Sequence, residues 1–283
     1  MGNQDNYAQN QGLLLINTIV ENHGPIFTTD QAYSLAREQA LSKSRTRQVL
    51  SALAQSGWIM RLKRGVYLVQ SPAFAAENLH PFAIATALIQ PIAISHWSAL
   101  AHHGFTTQIP PMVQASTPSQ VITPEMRQGA AYRPRGRAVW RILDMEFEFI
   151  QIRQKQFFGF NLEWMTSWNR VSITDPERTM LDMVSHPDIF GGITVAIETL
   201  NSHIEFLNIE QLVSYSLRYE MGSVIKRMGW ILESLGISSD QLSPLQTYSV
   251  KNNYLLDTQG LQKGKTNRRW NIIQNITGEI YND

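Results

Sequence analysis

The sequence contains no cysteine. This absence excludes disulfide frameworks, thiolate zinc sites, iron–sulfur clusters and cysteine nucleophiles, and it suits a reducing compartment. No run approaches the roughly 18 apolar residues of a membrane span. Residues 1–11 lack the basic start and apolar centre of a signal peptide. We therefore expect a cytoplasmic protein without a membrane partner.

The chain also lacks an excess of charge of either sign. Its 24 Lys and Arg residues face 23 Asp and Glu residues, which leaves a net charge of +1, so the global charge does not indicate a nucleic-acid partner. Hydrophobic residues make up 43% of the 283 positions and charged residues 17%, a composition that favours a folded core over wholesale disorder. At roughly 100 to 200 residues per domain, two domains or one large domain fit this length.

The N-terminal quarter is locally basic. Residues 1–72 carry seven cations against four anions, a net charge of +3. Apolar periodicity and stop signals predict helices at about residues 12–22, 30–39 and from the cluster at 43–47 to Gly57. Alternating residues around Lys63-Arg64-Gly65 predict a basic hairpin with a positive φ at Gly65. Three helices followed by a hairpin indicate a winged helix-turn-helix.

The third predicted helix begins with an unusually cationic turn, for which Ser42 or Ser44 is the expected N-cap. Cations at a helix N-terminus oppose the macrodipole. A protein tolerates this placement most readily when phosphates or base edges approach the same end, as they do at a recognition helix. The predicted DNA-binding residues are Lys43, Ser44, Arg45, Thr46, Arg47, Gln48, Arg61, Lys63 and Arg64. The structural alternative is a solvated basic helix start and a charged hairpin tip.

These residues divide into two expected roles. Lys43, Lys63 and Arg64 would anchor phosphates, since ammonium and guanidinium groups bind them without reading sequence. Base-edge contacts would come from the other polar residues of the helix start, because guanidinium forks and amides match base edges. The residues expected to make them are Arg45, Thr46, Arg47 or Gln48.

Turn residues near 72–80 predict a boundary between a winged-helix domain at residues 1–75 and a larger mixed α/β domain at 76–283. In the second domain, alternation predicts a half-buried strand at 144–152, and helical patterns continue from 176 to Gly236. The predicted class is therefore α+β, with a helix-rich C-terminal half.

Two further stretches are basic and contain aromatic residues. Residues 127–141 present five arginines with no acid between them, and the tail from Tyr248 presents lysines and arginines beside Trp270. Forked guanidinium contacts suit phosphates or the acidic groove of a partner protein, while a solvated surface is the alternative. The predicted partner or phosphate surface comprises Arg133, Arg135, Arg137, Arg141, Lys263, Lys265, Arg268 and Arg269.

Catalytic and cofactor motifs are weak or missing. His96 and His103 are two turns apart rather than one, with no carboxylate near them in sequence, and no phosphate loop or dinucleotide fingerprint occurs. We predict no catalytic residue, no metal and no cofactor. The alternative of a metal-dependent nuclease would use Glu146, Glu148 and a histidine, but the lysine of a nuclease-like motif does not follow.

The segment 171–184 predicts the start of a helix. Thr174 and Glu177 have capping-box spacing, and Asp175 followed by Pro176 is the other possible N-cap arrangement. Further on, the Arg178 and Asp182 side chains are one turn apart and can form an ion pair. These residues are expected to be structural.

Three segments together resemble the AbiEi-type antitoxins of bacterial abortive-infection systems: the winged helix closing on Arg64-Gly65-Val66-Tyr67, the segment Ile94 to Phe105, and the segment Val171 to Asp182. The resemblance covers about residues 12–236. It implies a type IV-like antitoxin that represses its own operon by binding inverted repeats in promoter DNA. It also implies that the C-terminal domain counters a cognate nucleotidyltransferase-like toxin, by contact or functionally. A stand-alone regulator with a ligand- or partner-binding C-terminal domain is the alternative.

Overall fold

The computed structural model describes residues 2–71, 79–129 and 137–276, with side chains from residue 11 onward. Within these residues, no helix combines the length and the apolar character required to cross a membrane. Helices and strands alternate along the chain, which confirms the predicted mixed α+β class.

The N-terminal region has the element order of a winged helix. Its elements are α1 (Gly2–His23), β1 (Ile26–Thr28), α2 (Thr29–Glu38), α3 (Lys43–Gln55), β2 (Ile59–Lys63) and β3 (Val66–Val69). The three strands form an antiparallel sheet in the order β1-β3-β2. The three helices bury apolar side chains against this sheet, which produces one contiguous core. That core contains Leu15, Ile16, Ile19, Phe27, Ala32, Leu35, Ala36, Val49, Leu50, Leu53, Ile59 and Val69.

Local capping fixes the helix starts in this region. Thr28 forms a capping box with Gln31, in which each side chain bonds the backbone N–H of the other residue. Ser42, rather than Ser44, caps α3, because its hydroxyl accepts a hydrogen bond of 3.2 Å from the Arg45 backbone. The helix that bears the basic cluster therefore starts at Lys43.

The remaining elements include a second, larger sheet. The strands are β4 (Ala93–Ile94), β5 (Val113–Thr117), β6 (Arg137–Ile142), β7 (Met145–Gln151), β8 (Phe160–Trp164) and β9 (Arg170–Thr174), in the order β6-β7-β5-β4-β9-β8. Strand β4 pairs antiparallel with β5 and parallel with β9. The helices before and between these strands are α4 (Pro81–Leu88), α5 (His96–His102) and α6 (Pro124–Arg127).

The C-terminal half is helix-rich, as predicted. Its helices are α7 (Pro176–Ser185), α8 (Ile193–His203), α9 (Ile209–Arg218), α10 (Gly222–Ser234) and α11 (Ser239–Thr247). A small sheet of β10 (Tyr254–Leu255), β11 (Lys265–Asn267) and β12 (Ile272–Gln274) follows, in the order β10-β12-β11. Asp175, not Thr174, is the N-cap of α7, since its carboxylate accepts from the Arg178 backbone and Pro176 occupies the first helical position.

The chain divides into two compact units. The first comprises Met1–Ile92, Trp140–Phe147 and Leu162–Val171, and the second comprises Ala93–Val139, Glu148–Asn161 and Ser172–Asp283. The first unit extends beyond β3 to α4, where the Lys63 ammonium donates a 2.6 Å hydrogen bond to the Leu88 carbonyl oxygen. The proposed domain boundary after residue 75 lies in 72–78, outside the described residues, and it stays a prediction.

Candidate nucleic-acid interface

The first turn of α3 exposes most of the residues predicted to contact DNA. Lys43, Ser44, Arg47 and Gln48 are exposed, and Arg45 is half-buried with its guanidinium 3.3 Å from Gln48 Oε1. The first turn of this helix contains no acidic residue. A cationic helix start without an acidic residue in its first turn is therefore exposed at the surface, where a phosphate or a base edge can approach.

Thr46 does not belong to this exposed face. Its side chain is fully buried, and its hydroxyl donates a 2.9 Å hydrogen bond to the Ser42 carbonyl oxygen. The prediction that Thr46 reads a base edge is wrong, because the same spacing that places Val49, Leu50 and Leu53 in the core also turns Thr46 inward.

Tyr33 on α2 organises the cations of α3 and was not predicted from the sequence. The Arg47 Nε donates a 2.7 Å hydrogen bond to its hydroxyl oxygen. The Lys43 ammonium and the Arg47 guanidinium lie 5.9 and 6.0 Å from the ring centroid, within the range of cation–π attraction. One aromatic ring thus restrains two side chains of the predicted interface.

The hairpin between β2 and β3 is a tight turn with two residues at its tip, Arg64 and Gly65, since Lys63 pairs directly with Val66. Gly65 has a φ of 78°, which confirms the positive φ expected there. Its carbonyl oxygen accepts from the Thr29 backbone, so the tip is tied to the start of α2. Arg64 is exposed at this tip.

The other two cations of the hairpin are differently placed. The Arg61 side chain is exposed, and its Nε donates to the Lys63 carbonyl oxygen at 3.3 Å. Lys63 is half-buried through its bond to Leu88, and burial lowers the pKa of its ammonium. One of its three N–H donors is thus used by a protein carbonyl oxygen, and the phosphate contact of Lys63 stays a prediction.

The predicted basic surface at residues 133–141 acquires acidic partners from elsewhere in the fold. Arg133 and Arg135 lie outside the described residues. Arg137 forms an ion pair with Asp188, and Arg141 forms one of 2.6 Å with Glu146. The lack of acids between these arginines therefore did not predict their ion pairing, because the acidic partners come from a distant residue and from the facing strand.

The C-terminal basic cluster keeps three exposed cations, Lys263, Lys265 and Arg268. Arg269 instead pairs with Glu233 at 2.8 Å. Trp270 is fully buried, and its indole N–H donates to the other carboxylate oxygen of Glu233 at 2.5 Å. The interpretation of Trp270 as part of a basic and aromatic surface is wrong, since the ring packs into the core of the second unit.

The two glutamates of the nuclease alternative are engaged elsewhere. Glu146 pairs with Arg141, and the buried Glu148 carboxylate accepts a 2.8 Å hydrogen bond from the Gln114 amide. Among the described residues, the three-member group that could hold a metal is His96, Asp182 and His186, which includes neither glutamate.

This histidine and aspartate group lies deep in the second unit. His96 and Asp182 are fully buried, and the ligand-type atoms of the three residues lie within 4.8 Å of one another. Burial lowers the pKa of His96 well below 6.5, and the charges of His186, Arg178 and Arg137 lower it further. Burial likewise lowers the pKa of His186. Sequence inspection missed the group, because 86 residues separate the first histidine from the aspartate.

Residues 15–70 match the family model described as "Transcriptional regulator, AbiEi antitoxin". The resemblance seen in the sequence is thereby confirmed over these residues, which hold α2, α3 and the hairpin. No protein with a curated description matches the chain. A solved structure titled "Crystal structure of RV2827C protein from Mycobacterium tuberculosis" is similar, with a TM-score of 0.55 and 12% identity over 93% of this chain and 91% of that chain. At this identity the similarity concerns the fold alone.

Proposed function

We propose that this protein is the antitoxin of a bacterial toxin–antitoxin system, and that it also binds the DNA of its own promoter and represses its operon. The observation that carries this proposal is the coincidence of two features in one segment. Residues 15–70 match regulators and antitoxins of the AbiEi type, and the same segment exposes the cationic start of α3.

In this account α3 lies in the major groove with its N-terminal turn facing the bases, as a recognition helix does. Arg45, Arg47 and Gln48 supply the forked and amide donors that match base edges. Lys43 and Arg64 bind phosphates on either side of the groove, and Arg61 adds a cation near the hairpin. Binding to inverted repeats requires two copies of α3 per operator, one for each half-site.

The antitoxic part of the proposal concerns residues 76–283. They would counter a cognate nucleotidyltransferase-like toxin, in a type IV-like manner that does not require the two proteins to touch. The exposed cations of the C-terminal segment, Lys263, Lys265 and Arg268, offer a surface for an acidic partner if contact does occur. Because this activity resides outside α3, it should survive loss of DNA binding.

The test is growth of cells that express the neighbouring gene together with one of two forms of the full chain. Wild type should restore growth and silence a reporter driven by the operon promoter. The double variant Arg45→Ala with Arg47→Ala should restore growth equally but leave the reporter active. A neighbouring gene that is harmless, or toxicity that the wild type does not relieve, would contradict the antitoxin role.

A ligand-responsive regulator is the second candidate, and one cavity favours it. A space of about 380 Å³ in the first unit is lined partly by polar groups, which include Thr28, Gln31, Lys63, Asn169 and Arg170. Lys63 precedes the hairpin tip and Thr28 caps α2, so a small anion bound there would contact elements that support α3. This function predicts DNA affinity that depends on an added small molecule and a harmless neighbouring gene.

A further inference from the structure

The second unit contains a group of neighbouring residues with buried polar atoms that lack a partner. Nε2 of His96 and Oδ2 of Asp182 make no hydrogen bond in the structure, nor does Nη2 of Arg178, whose Nε pairs with Asp182. His96 and Asp182 are both completely buried. An unpaired buried polar group destabilises the fold, so the unpaired atoms of His96 and Asp182, beside a third potential ligand in His186, favour a site for a polar or charged ligand.

Each of the two imidazoles has a hydrogen-bond partner at its Nδ1, which leaves its Nε2 as the nitrogen that can bind a metal. His186 Nδ1 lies 2.8 Å from the Ser185 hydroxyl oxygen, and that hydroxyl donates to the Asp182 carbonyl oxygen. A hydroxyl that donates its single proton there accepts from the Nδ1–H of His186, which makes Nε2 the unprotonated nitrogen. Metal-binding histidines are oriented by such a bond on the opposite nitrogen.

His96 is held in a comparable way. Its Nδ1 lies 2.8 Å from the Ser95 hydroxyl, which in turn lies 2.9 Å from the Ser116 hydroxyl. His96 also has a φ of 56°, a left-handed conformation that is unfavourable in residues other than glycine. Strain of this kind is maintained mainly where the position of a side chain matters. The strained backbone directs the imidazole into the interior.

The two oxygens of the Asp182 carboxylate differ in their hydrogen bonding. Asp182 Oδ1 accepts a 2.9 Å hydrogen bond from the Arg178 Nε, whereas Oδ2 is unpaired. Arg178 and Arg137 place two positive charges near the group, and Asp182 and Asp188 offset them.

We propose that His96, Asp182 and His186 bind one divalent transition-metal ion of the zinc class. Two imidazole nitrogens and one carboxylate oxygen are a ligand set that zinc accepts, and bonds of about 2.0 to 2.2 Å would close the group with small side-chain movements. Water would occupy the fourth position on the side of His186, which is only partly buried. The ion would join the start of α5 to the end of α7, as a structural link within the second unit.

Asp182 and His186 are one helical turn apart, on one face of α7 and its C-cap. His96 reaches them from the chain segment that follows β4. The group thus combines the one-turn spacing that zinc helices use with a ligand from a distant segment. A buried water bridging the same atoms is the competing occupant, and the experiment separates the two.

The test uses the full-length chain, stripped with a chelator, desalted and then titrated with Zn²⁺ or Co²⁺. The expected result is one metal ion per chain by elemental analysis, a visible absorption band typical of four-coordinate Co²⁺, and a higher melting temperature in Zn²⁺. His186→Ala, a change at a partly exposed residue, should weaken metal binding by at least about tenfold, as loss of one ligand exceeds the effect of losing a supporting bond. His102→Ala, which removes an exposed histidine of α5, is the matched control and should bind metal normally.

Three outcomes would overturn the proposal. They are a wild-type chain that binds no stoichiometric metal, a melting temperature that Zn²⁺ leaves unchanged, and a His186→Ala variant that binds metal as tightly as wild type. The wild-type measurements decide the question even if His186→Ala fails to fold. The metal titration measures neither DNA binding nor rescue of growth. A negative result would therefore not contradict the proposed function.

Discussion

The Nε of Arg47 donates a 2.7 Å hydrogen bond to the hydroxyl oxygen of Tyr33, so a residue of α2 fixes the direction of an arginine on α3. A restrained arginine loses less conformational freedom when it binds than a free one. Tyr33 is therefore expected to act as a positioning residue for the DNA interface, although it need not touch DNA itself.

Replacement of Arg47 tests its assignment to base contacts. Arg47→Ala is expected to weaken operator binding by about 1 to 3 kcal/mol and to relax specificity at one base position. Tyr33→Phe should have a smaller effect of about 0.5 to 1.5 kcal/mol, the value of one hydrogen bond. Fluorescence anisotropy at fixed salt measures both. Tyr67→Phe, a change on β3 in a ring that stacks on Phe27, is the control, and an Arg47→Ala affinity equal to wild type would remove Arg47 from the interface.

The salt dependence of DNA binding distinguishes the two lysines of the predicted interface. Lys43→Ala and Arg64→Ala should each reduce the slope of log K against log salt concentration by about 0.9, since each removes one phosphate contact. Lys63→Met should leave the slope unchanged, because its ammonium is committed to the Leu88 carbonyl oxygen. A titration of affinity from low to high salt provides the slopes. A reduced slope for Lys63→Met would show that Lys63 contacts a phosphate.

The Arg178 side chain is expected to be a major contributor to stability. It is 1% exposed, pairs with Asp182, and donates hydrogen bonds to the Gln156 and Phe158 carbonyl oxygens. Arg178→Met should lower the free energy of unfolding by about 3 to 5 kcal/mol, because it leaves a buried carboxylate without its partner.

Urea denaturation measures this loss. Arg218→Met is the matched control, since the exposed Arg218 guanidinium lies 4.1 Å from the centroid of the same Phe158 ring. We expect it to cost about 1 kcal/mol or less, the range of exposed cation–π contacts. Equal losses in the two variants would contradict a special role for the buried ion pair.

Gly229 is expected to tolerate no side chain. A Cβ atom there would lie 2.1 Å from a ring carbon of Trp270, closer than atoms can approach. Gly229→Ala should therefore destabilise the protein by about 1 to 3 kcal/mol, the usual cost of overpacking, despite the higher helix propensity of alanine. Tryptophan fluorescence should shift to the red at lower urea concentration. Ser214→Ala, at an exposed position of α9, is the control and should not destabilise.

The parts of the fold that depend on local signals could be predicted from the sequence. Helix α3 begins at Lys43 because Ser42 caps it, and Gly65 takes the positive φ that the hairpin requires. These features need only neighbouring residues. The helical spacing of Thr46 to Val49 and Leu53 also predicts a buried Thr46 side chain. The cations on either side of Thr46 favoured an exposed position instead.

The sequence did not predict the contacts that side chains make with distant segments. Lys63 bonds Leu88, 25 residues away, and Trp270 packs on Gly229. Hydrophobic periodicity and charge counts do not report such pairs. The group of His96, Asp182 and His186 was missed for the same reason, since His96 lies near Asp182 and His186 only in the folded chain.

The most direct test of the account is the affinity of the full chain for the DNA upstream of its own gene, compared with an unrelated duplex of equal length at physiological salt. We expect the upstream DNA to bind at least about a thousandfold more tightly, the lower end for specific DNA-binding proteins. We also expect this preference to collapse in the Arg45→Ala and Arg47→Ala double variant. Equal affinity of the wild type for the two duplexes would contradict the proposal that α3 reads an operator.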